Sequence, residues 1–208
     1  DIIKEKTNLK IFITSSVPKT CYDNRDLFLT ILSKIDGFNI SAQHHDEDVA
    51  DMIRNVGKSK YNRQEFYNSL PFKEKIRINL NIVKPYLFEK EDLTKCLLYY
   101  DKIGFNSIKL SEIQHGQDYF IRFEDIYKVK YGSPFYSGCQ KYIDTNSIKE
   151  LSTMNTPLLL KRSCFLCEDT LKASFMDGIK VLYKSMVKES SNKYAVIYED
   201  GSMSKGWR

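Results

Sequence analysis

The sequence predicts an α/β fold, a partial (β/α) barrel followed by a small α+β extension. The first observation behind this is alternation. In Gly37-Phe-Asn-Ile-Ser-Ala-Gln-His-His-Asp46, apolar Phe38, Ile40 and Ala42 alternate with polar Asn39, Ser41 and Gln43, the period of a strand with one greasy and one hydrophilic face. Residues 75–83 repeat it, with Ile76, Ile78, Leu80 and Ile82 against Arg77, Asn79 and Asn81; in 106–112, Ile108 and Leu110 oppose Ser107, Lys109 and Ser111. The second observation is spacing. Strands begin near residues 10, 38, 75 and 105, and helix-like segments fill the gaps. Such steps match right-handed βαβ crossovers and a parallel sheet rather than hairpins.

Strands of a parallel sheet covered on both sides read as nearly continuous apolar runs. Here helices can cover only the greasy face. A curved, barrel-like sheet with a polar inner face holds water or a polar ligand, because unpaired buried amides and charges are costly. In α/β barrels ligands sit at the carboxyl ends of the strands. Thr14 to Ser16, Ser41 to Asp46, Asn81 and Lys109 to Glu112 fall at those ends.

Taken in order, Asn8 to Ser16 reads as the first strand, stopped by Val17-Pro18. Leu27, Phe28, Ile31, Leu32 and Ile35 then recur at helical spacing, with Asp23 or Asn24 as cap and Gly37 as terminator. Two short helices are expected over 46–56 and 62–70. Another is expected over 91–103, with Leu93, Cys96, Leu97 and Tyr100 on its apolar face and Gly104 as its stop. The pattern changes near Gln114, so residues 1–113 form the partial barrel and 114–208 the extension. In the extension, Thr156 to Cys164 is strand-like, Cys167-Glu-Asp-Thr caps a helix expected over about 171–187, and Lys193 to Trp207 is a hairpin turning at Asp200-Gly201. The opening Asp1 to Asn8 resembles the tail of a helix, and an N-terminal portion is expected before it.

Composition narrows the function. A chain of 208 residues with 42% apolar content can bury a real core. The net charge of +5 is spread among interspersed acids and bases, with no basic stripe for nucleic acid. No apolar run could span a bilayer and the opening residues Asp1 to Asn8 are unlike a signal peptide, so the chain reads as cytoplasmic, with no membrane partner. In that reducing setting Cys21, Cys96, Cys139, Cys164 and Cys167 are thiols or metal ligands rather than disulfides.

Two stretches invite a metal. His44-His45-Asp46-Glu47-Asp48 offers imidazole and carboxylate. Adjacent histidines on a strand point to opposite faces, however, and the plainer reading is a polar loop that lines a pocket and caps the next helix. Cys164-Phe-Leu-Cys167, with Cys139 upstream, has the spacing of half a zinc knuckle or cluster site, with His115 as a possible fourth ligand; three core thiols are the alternative. Cys21 and Cys96 are assigned to packing. The chain lacks a Gly-x-Ser-x-Gly elbow and a phosphate-binding glycine loop, which argues against hydrolase and nucleoside triphosphatase readings.

The succession Ile13-Thr-Ser-Ser-Val-Pro18, Ile35-Asp-Gly-Phe-Asn-Ile-Ser-Ala-Gln-His-His45, Ile76-Arg-Ile-Asn-Leu-Asn-Ile82 and Ile103-Gly-Phe-Asn-Ser-Ile-Lys-Leu-Ser-Glu112 resembles the later strands of a radical S-adenosylmethionine (radical SAM) enzyme with a twitch or SPASM-like C-terminal extension. The resemblance covers residues 8–113 and implies the later strands of a (β/α)6 TIM-like barrel. It implies that Ser41 and Gln43 contact the ribose of S-adenosylmethionine, that Asn79 or Asn81 makes further cofactor contacts, and that Lys109, Ser111 and Glu112 face a small-molecule or peptide substrate. Cys139, Cys164 and Cys167 would then hold an auxiliary cluster or zinc. The family's Cys-x3-Cys-x2-Cys, which binds the 4Fe-4S cluster, and its Gly-Gly-Glu-like segment occur nowhere in these 208 residues. In the family both precede the strand at Lys10. The resemblance therefore implies an enzyme whose cluster ligands lie outside this chain and whose 5′-deoxyadenosyl radical abstracts hydrogen, the 208 residues alone being inactive. Two rivals stand beside it: a non-catalytic module that binds a small ligand or partner, and a conventional barrel enzyme using His44 or His45 with Glu112 as acid and base.

Overall fold

Apolar side chains at every second position favour pleated strands over helices, and they do so here at β1 (Phe12–Ser15), β2 (Gly37–Ala42), β3 (Ile76–Ile82) and β4 (Ser107–Glu112). In the computed structural model the described residues are 10–17, 19–55, 57, 61–112, 121, 123–128, 140–143, 145–162, 172–176, 179–183, 196–197 and 203–204. Helices fill the gaps: α1 (Lys19–Asp23) and α2 (Arg25–Lys34), α3 (Glu47–Ile53) and α4 (Arg63–Asn68), then α5 (Lys90–Ile103). After β4 come α6 (Phe123–Tyr127), β5 (Gln140–Tyr142) and β6 (Leu158–Arg162). The sheet order is β1-β2-β3-β4-β6-β5. Its first five strands are parallel, and β5 runs antiparallel along β6. The sheet therefore crosses the 113/114 boundary, because the strand expected near Thr156 to Cys164 joins it as β6.

Register turns alternation into layers. Ile40, Ile78, Ile108 and Leu158 lie side by side across β2, β3, β4 and β6, and Leu80, Leu110 and Leu160 form the next row. Onto these rows pack Phe28 and Leu32 of α2, Phe66 and Tyr67 of α4, and Leu93, Cys96, Leu97, Tyr100 and Ile103 of α5, all buried. Burying one such aliphatic side chain is worth about 1.5–3 kcal/mol, so this face carries the fold. Of the five apolar residues expected on the second helix, only Phe28, Leu32 and Ile35 are buried; Leu27 and Ile31 are exposed.

Helix ends are closed by short-range chemistry. Asp46 and Asn62 accept hydrogen bonds from the backbone N–H of Val49 at 3.0 Å and Glu65 at 2.9 Å and so cap the N-termini of α3 and α4. Gly104 ends α5 at φ +82°, where a side chain would be strained. One short turn before β3 serves two helices. Lys73 Nζ donates to the carbonyl of Ile103 at 2.9 Å, and Lys75 Nζ donates to those of Ser33 and Ile35 at 3.1 Å each, placing cations at the negative ends of α5 and α2. The expected cap at Asp23 or Asn24 is not made. Asp23 belongs to α1, and Asn24 Nδ2 donates back to the carbonyl of Thr20 at 3.0 Å.

Beyond the sheet, the helix expected over 171–187 is replaced by two strands, β7 (Lys172–Met176) and β8 (Ile179–Tyr183). They pair antiparallel with Met176 opposite Ile179. In sequence, Asp-Gly is a dipeptide type that favours hairpin turns, and Val181 and Tyr183 are residue types that favour a strand; Asp177 and Gly178 themselves lie outside the described residues. The expected C-terminal hairpin forms as β9 (Val196–Ile197) against β10 (Met203–Ser204); its Asp200-Gly201 turn, like Asp1 to Leu9, lies outside the described residues. No helix among the described residues is long and apolar enough to cross a membrane.

Candidate functional site

The side chains between the apolar rows make a second surface on the opposite face. Thr14, Asn39, Arg77 and Ser107 form one row across β1 to β4. Toward the carboxyl ends, Ser41, Asn79, Lys109 and Leu159 form the next, and Asn81 stands opposite Ser111 in the third. Asn39 Nδ2 donates to Thr14 Oγ1 at 3.2 Å. Asn79 and Arg77 are only half-buried, yet Asn79 Oδ1 and Arg77 Nε are shielded from solvent and have no hydrogen-bond partner among the described residues. Buried polar atoms are nearly always paired, so these two mark where a further polar group is wanted. Burial alone holds the Arg77 guanidinium below its ordinary value.

Above the carboxyl ends of β1 and β2 lies a tightly tied loop layer. Val17, a β-branched residue at φ +52°, is held there by its N–H, which donates to Ser15 Oγ at 3.0 Å, and its carbonyl, which accepts from Tyr61 Oη at 2.6 Å. Arg63 and Asp51, 6% and 3% exposed, form a buried ion pair. The N–H of Arg63 donates to Glu47 Oε1 at 2.8 Å, and Arg54 Nη2 donates to the carbonyl of Ser41 at 3.1 Å.

The chain turns after Gln43, so His44 and His45 do not point to opposite faces. Their rings lie 4.4 Å apart at 30°. His44 Nδ1 accepts from the N–H of Asp46 at 3.0 Å, and its carbonyl accepts from Tyr100 Oη at 3.2 Å. Burial lowers the pKa of both imidazoles. His45 lowers His44 further, against opposing pulls from Asp46 and Asp92. Burial also pushes Cys96 and Tyr99 up to about 12, so neither ionises near neutrality and Cys96 acts as a core side chain.

Of the residues singled out in the sequence, Ser41, Asn79, Asn81, Lys109 and Ser111 share the polar face, and Gln43 follows at the end of β2. Glu112 does not join them. It shares the parity of Ile108 and Leu110, is 1% exposed on the helix side, and accepts from the N–H of Phe123 at 2.9 Å. It anchors α6 rather than facing the polar surface. Cys139, Cys164, Cys167 and His115 lie outside the described residues. Among the described residues no three His, Cys, Asp or Glu side chains are grouped so as to hold a metal ion, the His44 to Asp48 stretch included. Arg77 was not among the candidates from sequence; alternation put it on the polar face, but its lack of a partner is a tertiary property.

No family model matches the sequence, and no curated protein or solved structure matches the chain.

Proposed function

We propose that the polar face of the sheet is a small-ligand site and that its ligand is S-adenosylmethionine, in a radical SAM enzyme built on a partial TIM-like barrel. One observation carries the reading: Asn79 Oδ1, in register between Ser41 and Lys109 on the face away from the helix core, is buried without a hydrogen-bond partner among the described residues. An acceptor in that condition calls for a donor, and the ribose hydroxyls, adenine amino group and ammonium of S-adenosylmethionine are donors. Ser41 and Gln43 would hold the ribose. Asn79 and Asn81 would orient the rest of the cofactor, while Lys109 and Ser111 would face a small-molecule or peptide substrate. A bound cofactor of this kind beside a reduced 4Fe-4S cluster supplies hydrogen-atom abstraction, and the cluster's ligands would come from outside these 208 residues. Any auxiliary cluster or zinc would fall to Cys139, Cys164 and Cys167.

The second reading, ligand binding without chemistry, is favoured by the absence of Cys-x3-Cys-x2-Cys from the 208 residues. Titration calorimetry with S-adenosylmethionine tests the first. Binding is expected, and Asn79→Ala should weaken it about 10-fold, the worth of one well-made hydrogen bond, with an unchanged circular dichroism spectrum. No binding to the wild type, or equal binding by the folded variant, overturns the assignment of this cofactor to this face.

A further inference from the structure

The amino ends of the strands hold a separate feature. There, on the polar face, a cavity of about 180 Å³ is lined by Phe12, Gly37, Asn39, Arg77, Ser107 and Leu159, among others. Its position is set by register: Phe12 stands opposite Gly37, and Asn39, Arg77 and Ser107 are neighbours in one cross-strand row. The walls differ in chemistry. The ring of Phe12, 63% exposed, lies so close over Gly37 that a Cβ there would come within 2.7 Å of it, and Leu159 is an apolar residue on this otherwise polar face, 4% exposed. Between these walls sits Arg77.

The Arg77 side chain forms no hydrogen bond and no ion pair with any described residue. The other charged groups lining the cavity do not compensate it. Asp36 is exposed and accepts from the N–H of Ile11 at 2.8 Å, Glu74 is exposed, and Lys75 Nζ is turned to the carbonyls of Ser33 and Ile35. A guanidinium that no acid among the described residues pairs with is a preformed fork for a carboxylate. Asn39 and Ser107 flank it with further polar groups.

We infer that this cavity binds a small organic carboxylate, its charged end on Arg77 between Asn39 and Ser107 and its apolar body between Phe12 and Leu159. The lowered pKa of Arg77, caused by burial with no opposing charge, agrees with a cation awaiting its counter-ion. The inference does not rest on the cofactor proposal, which concerns the carboxyl ends of the same strands.

Benzoate, with benzamide as its uncharged isostere, is the probe, titrated into the 208-residue chain and followed by calorimetry. The wild type is expected to bind benzoate about 10-fold or more tighter than benzamide, the worth of one charge-assisted pair. Arg77→Met should abolish that preference, and Arg77→Lys, which keeps the charge but not the fork, should retain only part of it. Gly37→Ala, which displaces the Phe12 ring, should weaken benzoate more than acetate. Equal affinity of the wild type for benzoate and benzamide, undetectable benzoate binding, or a preference that survives Arg77→Met would each overturn the inference. The first two need no variant to fold.

Discussion

Leu80 and Asn79 are neighbours on β3, yet they belong to different surfaces. Leu80 is fully buried between Ala42 and Leu110, under the helices. Asn79 lies between Ser41 and Lys109 with an acceptor that nothing among the described residues satisfies. The same contrast separates two arginines. Arg63 is buried against Asp51 in the loop layer, whereas Arg77 is half-buried on the polar face and paired with no acid among the described residues. Arg63 has a carboxylate against it, whereas Arg77 and Asn79 each keep a shielded atom with no hydrogen-bond partner among the described residues. Closed interactions hold the fold, and open ones are available to a ligand.

The sharpest way to break that comparison is at the two arginines. Asp51→Ala leaves the Arg63 guanidinium buried without its carboxylate and is expected to cost about 3–5 kcal/mol of stability. Arg77→Met removes a cation that has no partner among the described residues and should leave stability unchanged or raise it. Urea denaturation of both variants checks this; a large loss at Arg77 would mean that its charge is already compensated. On β3 itself, Leu80→Ala should cost about 2–5 kcal/mol through lost burial and the cavity it leaves. Asn79→Ala should stay within about 1 kcal/mol of the wild type, because the group deleted is an unsatisfied one. Similar losses at both positions would show the polar face to be structural.

The smallest expected effect is on pH dependence. His44 and His45 are held below the ordinary imidazole value, so between that folded value and about pH 6.5 the unfolded chain binds more protons than the folded one. Their contribution to stability is whole above about pH 6.5 and is lost as pH falls through the folded values. The double variant His44→Gln/His45→Gln should have a flatter stability profile between about pH 7.5 and 5, measured by urea denaturation at each pH. An equal slope in wild type and variant would assign the acid sensitivity elsewhere.

Much of the fold could be read from residue order. Alternation in 76–82 assigned both faces of β3, and Asp46, Asn62 and Gly104 act at the helix ends as their side chains, or lack of one, dictate. Glu112 was legible too, since its parity with Ile108 and Leu110 already assigns it to the covered face; grouping it with Lys109 by position along the strand hid that. The stretch 171–187 misled because its apolar spacing also fits a helix, while Asp177-Gly178 carried the hairpin signal. That Arg77 Nε and Asn79 Oδ1 have no hydrogen-bond partner among the described residues was not legible. It depends on which side chains four different strands and their loops bring within reach, and no local pattern encodes that.

The order β1-β2-β3-β4 follows the chain, so β2, β3 and β4 each pair with the strand just before them in sequence. Each such step closes a loop about as long as one βα unit, and the entropy of closure grows only slowly with length. The next addition is different: β6 reaches β4 only after the chain from 112 to 158 has been gathered in, and β5 joins on the far side of β6. Assembly is thus incremental over the first four strands and a longer-range closure at the β6 edge, and long-range pairing slows folding. Arg77 and Asn79 stand on β3, between β2 and β4, in the part of the sheet whose neighbouring strands are also neighbours in the chain.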